Sequence, residues 1–387
     1  MCDDYHPDCP VGSAIRPLSM IKVGEFLLPL PTTYWRVYMH RIKSVTTRNL
    51  LVVTLVGAAA GCASMKPDTM ASKSAMADAK PMAAMAHSSP TELVDALNGV
   101  FGKHKVRSSG AKGFCVAGQF EASSSAAAIT RAGLFQTDKR TPVIGRFSLG
   151  GGNPKAPDNA KSVRGIAVRA TDGNERLEWV FVSAPHFFAQ TPEQFVNFLK
   201  ARMPDPATGK ANPETVAAFS KANPATTKQG AYLNSQPVPA SFGTVPYWST
   251  NAFIATNASG KTQALRWRFE PMAGSLGLTD DEAKAKGPDF LRPELTERLT
   301  KGPVVFNVIA QLAQPGDQLT DPTEPWPADR AEVNMGRLVI DRITDQACDT
   351  ETFLPTVLPA GLAPSADPVL NARAGAYAES LGRRLSN

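Results

Sequence analysis

The sequence predicts an α+β fold, an eight-stranded antiparallel β-barrel with its helices gathered into one insertion and one tail. Three observations carry this. The 32 Pro and 29 Gly among 387 residues interrupt the chain too often for a helical bundle. Eight short segments have strand character and are bounded by turn residues, at 113–120, 143–149, 165–169, 177–182, 252–256, 265–271, 304–311 and 335–343. After one short opening helix, helical signals are confined to 191–247 and to the C-terminal tail, the segregation expected of an α+β barrel.

In chain order, 91–98 reads as the opening helix, with Ser89 or Thr91 near its cap. Residues 257–261 form a hairpin loop between two strands. The insertion starts with Thr191-Pro192-Glu193, a capping hydroxyl, a first-turn proline and an acid. In the tail, Asp367-Pro368 caps a helix along which Leu370, Ala374, Tyr377 and Leu381 recur at helical spacing.

Ahead of this domain lies a targeting signal. Residues 39–49 carry Arg41, Lys43 and Arg48 and no acid, and an apolar run from Leu50 ends in Ala59-Ala60-Gly61-Cys62. A basic segment, a short apolar stretch and small residues make a signal peptide over 39–62 and predict export to a bacterial periplasm. The run is too short to span a bilayer comfortably. The small residues before Cys62 resemble a lipoprotein cleavage box, so Cys62 is the lipidation candidate, with ordinary cleavage as the alternative. Residues 1–38 have no place in an exported product, which makes Met39, or Met20, the expected start. Residues 63–90 form an Ala-, Met- and Lys-rich tether with no apolar period. Its methionines are too irregularly spaced for a soft-metal site. The folded domain occupies 91–387.

Several classes are excluded. The net charge of +6 is spread along the chain without basic-aromatic runs, which argues against nucleic acid. Gly150-Gly151-Gly152 lacks the dinucleotide fingerprint, and the five histidines form no metal-ligand spacing. Within the domain, Cys115 and Cys348 are either a disulfide, as suits an oxidising compartment, or two separate buried thiols.

Arg373 and Tyr377 share a face of the tail helix. A guanidinium beside a phenol favours phenolate, a ligand suited to ferric haem iron. Further motifs accompany them: Arg146-Phe147-Ser148 in a strand, Arg164-Gly165-Ile166-Ala167-Val168-Arg169 after a Gly-rich loop, Arg107 through Gly113 upstream, and Pro185-His186-Phe187-Phe188 downstream. Taken in their order along the chain they resemble the catalase family, and the lack of long wrapping segments resembles its minimal members, the catalase-related peroxidases.

The resemblance implies a catalase-like barrel with a C-terminal haem-ligating helix and haem b as cofactor. It implies Tyr377 as axial iron ligand and Arg373 as its partner. Arg107, Arg146 and, at the next rank, Arg384 would pair with the haem propionates, with Ser148 among the cofactor contacts. Peroxide and a small-molecule or protein electron donor are the implied partners, with a monomer or small homo-oligomer as the assembly.

One departure matters. Gly110 stands where the family carries its distal histidine, and Ser183 is assigned to the place of the distal asparagine of large catalases. Glycine cannot move a proton, so peroxidase activity is expected to be weakened and catalatic turnover low. His186, a weak candidate, and His104 are the substitutes to be considered. A non-catalytic haem carrier or small-ligand sensor is the alternative function.

Overall fold

The computed structural model describes residues 88–386. The expectations for the 1–38 extension, the 39–62 signal, Cys62 and nearly all of the tether lie outside the described residues.

Twelve strands are present among the described residues: β1 (Gly113–Ala122), β2 (Arg140–Leu149), β3 (Arg164–Asp172), β4 (Glu175–Val182), β5 (Val238–Pro239), β6 (Tyr247–Trp248), β7 (Phe253–Thr256), β8 (Thr262–Pro271), β9 (Gly277–Leu278), β10 (Val304–Leu312), β11 (Glu332–Ile343) and β12 (Leu362–Pro364). Antiparallel pairing runs β10-β11-β1-β2-β3-β4-β6-β8, and a β8–β10 ladder closes the ring. Eight strands thus form the barrel.

Two details of the expected layout are corrected. The predicted strand at 252–256 exists as β7, but it leaves the ring and pairs only with β8 and β12. Its place in the barrel is taken by β6, whose two residues straddle the expected end of the insertion at 247 and pair with β4 and β8. So short a strand shows no period in sequence.

The interior is aromatic. Phe120, Phe135, Trp179, Trp267, Phe269 and Phe306 are buried to 2% exposure or less. Phe120, Phe135 and Trp179 meet edge to face at 5.3–6.3 Å, the geometry aromatic quadrupoles favour.

Among the described residues seven α-helices lie outside the barrel: α1 (Pro90–Phe101), α2 (Pro192–Lys200), α3 (Pro213–Ala222), α4 (Lys228–Ser235), α5 (Asp280–Lys286), α6 (Leu291–Lys301) and α7 (Pro368–Leu385). Ser89 closes a full capping box with Glu92 at α1, and Thr191 caps α2. Helices α2 to α4 are the expected insertion. Helices α5 and α6 were not expected, so the helices are not confined to one insertion and a tail. Helix α7 is capped by Asp367, whose Oδ1 accepts from Val369 N at 2.8 Å and Leu370 N at 3.2 Å.

Candidate active site

Strand alternation builds the site. In β2 and β4, Phe147, Trp179 and Phe181 belong to the barrel core, while Arg146, Ser148, Val180 and Val182 lie on the opposite face. Over that outer face α1, α2 and α7 pack together and enclose a cavity of about 430 Å³. Its walls are mainly apolar, from Leu93, Val94 and Leu97 of α1, Phe195 and Phe198 of α2, and Ala372 and Ala376 of α7.

At one side stands Tyr377. Arg373, one turn earlier on α7, donates to the phenol oxygen from Nε at 3.0 Å and from Nη2 at 2.7 Å. This fork suits an anionic oxygen. Its third nitrogen, Nη1, donates to Asn251 Oδ1 at 3.2 Å, and Asn251 Nδ2 donates to Asp367 Oδ2 at 2.7 Å. The chain Tyr377–Arg373–Asn251–Asp367 therefore begins in the cavity and ends at the helix cap. Asp367 is buried, which raises its carboxyl above the usual range, and its bond from Asn251 opposes this.

At another side Arg107, Arg146 and Arg384 gather. Burial pushes the Arg146 guanidinium down to about 9, and the nearby charge of Arg107 adds to this. Arg107 falls to about 10 through burial, then through Arg384. Arg384 is lowered by burial. No carboxylate side chain lines the cavity among the described residues. The terminal nitrogens hold backbone carbonyls: Arg146 those of Gly110 at 2.7 Å and Ala111 at 3.2 Å, Arg107 those of Cys348 at 2.7 Å and Glu351 at 2.9 Å, and Arg384 that of Asp349 at 2.9 Å. Nε of Arg146 and of Arg384 is buried without a partner. Asp349, off the wall, partly offsets the three charges, and three crowded cations with no acid on the cavity wall make an anion-binding end.

Gly110 and Ser148 line the cavity side by side. Gly110 sits at φ +62°, and a Cβ there would lie 3.2 Å from Ser148 Oγ. The other distal candidates are elsewhere. Ser183 is not on the wall; its Oγ accepts from Arg164 N at 2.8 Å. The residue that faces the cavity from this segment is Val182, because β4 keeps its alternation to the end and Ser183 falls on the next register. His186 Nδ1 donates to Thr323 O at 3.1 Å, and its ring meets Tyr232 edge to face, away from the cavity. His104 Nε2 lies 2.6 Å from Gly152 O, also off the wall. None of the three is brought to the site.

Other motif residues brace the scaffold. Lys112 joins Asp158 and Asp289, each at 2.7 Å. Arg169 pairs with Glu178 at 2.6 Å and Glu351 at 2.5 Å. Asn251, Val182 and the Ser380–Ser108 hydrogen bond of 3.0 Å, which ties α7 to the Gly110 loop, are site features the sequence did not disclose.

A family model described as Catalase matches residues 91–387. The chain belongs to the catalase family. Within it the chain sides with the peroxidases: it is 38% identical over 300 residues to a catalase-related peroxidase of Synechococcus elongatus, covering 76% of this chain and 88% of that protein. A catalase-related peroxidase of Mycolicibacterium paratuberculosis is 33% identical over 302 residues, covering 76% of this chain and 94% of that one. In fold the chain is similar to catalase A from Saccharomyces cerevisiae, with a TM-score of 0.67 at 24% identity over 72% of this chain and 61% of that one.

Catalase-family proteins use haem, and the residues fit it. The phenol carries two donors that accommodate an anionic ligand, the walls suit a flat apolar ring, and the two orphaned arginine Nε groups lie at the end suited to carboxylates. A site lined by apolar groups with a few convergent polar ones is the usual form of a cofactor pocket.

Proposed function

We propose that this protein is an exported haem b peroxidase that reduces hydroperoxides, organic ones in preference to hydrogen peroxide, with electrons from an external donor. The observation that carries the reading is the fork of Arg373 on the Tyr377 oxygen at the wall of a largely apolar cavity. Haem, when bound, supplies the reduction of the O–O bond and accepts electrons from the donor.

The chain's own residues do the rest. Tyr377 would hold the iron, and Arg373 keeps two N–H groups on the same oxygen, fixing where it points. Asn251 and Asp367 fix the guanidinium so that it does not swing away. Arg107, Arg146 and Arg384 would take the cofactor's carboxylates.

No His, Asp, Glu or Lys lines the cavity among the described residues. Beside the arginines, which carry no free base at neutral pH, a peroxide there finds hydroxyls and amides, which are too weak as bases. Loss of a positioned acid–base group costs about 10²–10⁴-fold in rate, and the cost falls on both kinds of peroxide, because hydroxide and alkoxide leaving groups alike need a proton. An organic hydroperoxide gains contact with Val182, Phe187 and Phe188 in exchange. The same observation supports the second reading, a haem carrier or small-ligand sensor without turnover.

Export follows from the 39–62 signal, with Cys62 as the membrane tie, and the Cys115–Cys348 disulfide suits an oxidising compartment. The test is steady-state donor oxidation by haem-loaded protein with hydrogen peroxide and with cumene hydroperoxide. Faster turnover of the organic peroxide supports the peroxidase. Haem uptake without oxidation of donor by either peroxide overturns it in favour of the carrier or sensor.

A further inference from the structure

Cys115 and Cys348 are joined in a disulfide, with both residues fully buried. The bond ties β1 to the turn at 344–354, and no step of the proposed chemistry uses it. That turn nonetheless governs the cationic end of the cavity. The carbonyls of Cys348 and Glu351 accept both bonds of Arg107, at 2.7 and 2.9 Å, and the carbonyl of Asp349 accepts from Arg384 at 2.9 Å. Its Thr352 and Phe353 also form part of the wall. Phe353 packs on the disulfide itself, with Ile144, Ala167 and Val180 around it. The far end of the turn is fastened by Arg169, through the Glu351 carboxylate at 2.5 Å and the Thr352 carbonyl at 2.8 Å.

Arg107 and Arg384 thus take their orientation from the carbonyls of a turn, and that turn has one covalent anchor. A guanidinium recognises a carboxylate through a planar fork, so a small rotation forfeits the geometry.

We propose that the Cys115–Cys348 disulfide is a positioning element of the cofactor site, holding the 344–354 turn so that its carbonyls aim Arg107 and Arg384 at the cofactor's carboxylates. The proposal rests on the haem reading above.

The test uses the full chain, wild type and the Cys115→Ala/Cys348→Ala variant. Each is loaded with haem or with haem dimethyl ester, whose carboxylates are capped as neutral esters. The readout is the rate of transfer of each to excess apomyoglobin. The variant is expected to release haem about 10-fold faster or more, as loss of an outer support typically costs, while ester release changes by less than about twofold. Adding Arg107→Ala to the variant should then cost little more, because the two changes act through one contact.

Equal acceleration for haem and ester would mean general loosening and would overturn the proposal, as would release unchanged for both. A wild type that binds both ligands with equal hold would overturn it too, by removing the carboxylate preference. A wild type that takes up neither overturns the haem reading together with it, so the two failures are told apart. Should the alanine pair not fold, Cys115→Val with Cys348→Ala keeps the apolar packing, and the same ratio is read.

Discussion

Asn251 donates to Asp367 Oδ2 at 2.7 Å while the other carboxylate oxygen of Asp367 caps α7, so one buried acid both starts the helix and braces the arginine that faces Tyr377. Asp367→Ala removes the cap and the brace together. It is expected to cost about 1–2 kcal/mol, whereas Asp367→Asn, itself a good cap, costs less. Thermal unfolding of the apoprotein checks the order of the three proteins.

Tyr377→Phe leaves the packing of α7 intact and removes only the oxygen that Arg373 addresses. The fold is expected to survive with unchanged far-UV circular dichroism. The ferric spectrum of added haem should lose its tyrosinate character. Arg373→Ala should keep that ligand but weaken haem retention, read by titration.

Haem affinity should fall in alkali. In the free protein burial places Arg146 at about 9 and Arg107 at about 10, so each starts to lose its charge in that range. A bound carboxylate favours the cation and raises both values, so binding takes up protons above pH 9. Affinity is therefore full below pH 9 and declines as pH rises through 9 and 10. The limit is about tenfold per pH unit for each proton taken up. Titrations at pH 7, 9 and 10 check this, and Arg146→Gln should flatten the lower part of the curve.

Gly110→His should raise the rate with hydrogen peroxide, by the lower part of the about 10²–10⁴-fold range of general acid–base catalysis. The gain is limited because φ is +62° at this position and the new Cβ would press on Ser148 Oγ at 3.2 Å. A left-handed non-glycine residue costs about 1–2 kcal/mol, so the variant should unfold at lower temperature than the wild type. Stopped-flow and thermal scans on the same preparation measure both effects.

The strand pattern and the motifs made the ring and the Arg373–Tyr377 contact legible, because an Arg and a Tyr at helical spacing and an Arg-Phe-Ser strand are local patterns. What failed to show depended on register and on distance. Ser183 and Val182 are neighbours, and only the observed end of β4 tells which one faces the cavity. Asn251 reaches Arg373 across 122 residues, with no spacing to announce it. By contrast, α5 carries a readable capping box, Thr279 with Glu282, and a stop at Gly287. Its seven residues are too few to show an apolar period.

The ring also imposes an order of events on synthesis. Strand β1 lies beside β11, its partner from the far end of the chain, with Val116 opposite Ile343. Until residue 343 has emerged, β1 and β10 each present an unsatisfied edge that invites pairing with another chain. Pairings so distant in sequence are slow to form. Helix α7, which brings Tyr377, arrives later still. A group held through Tyr377 would therefore need the ring and α7 complete, and a chain cut before residue 343 would present two open edges to other chains.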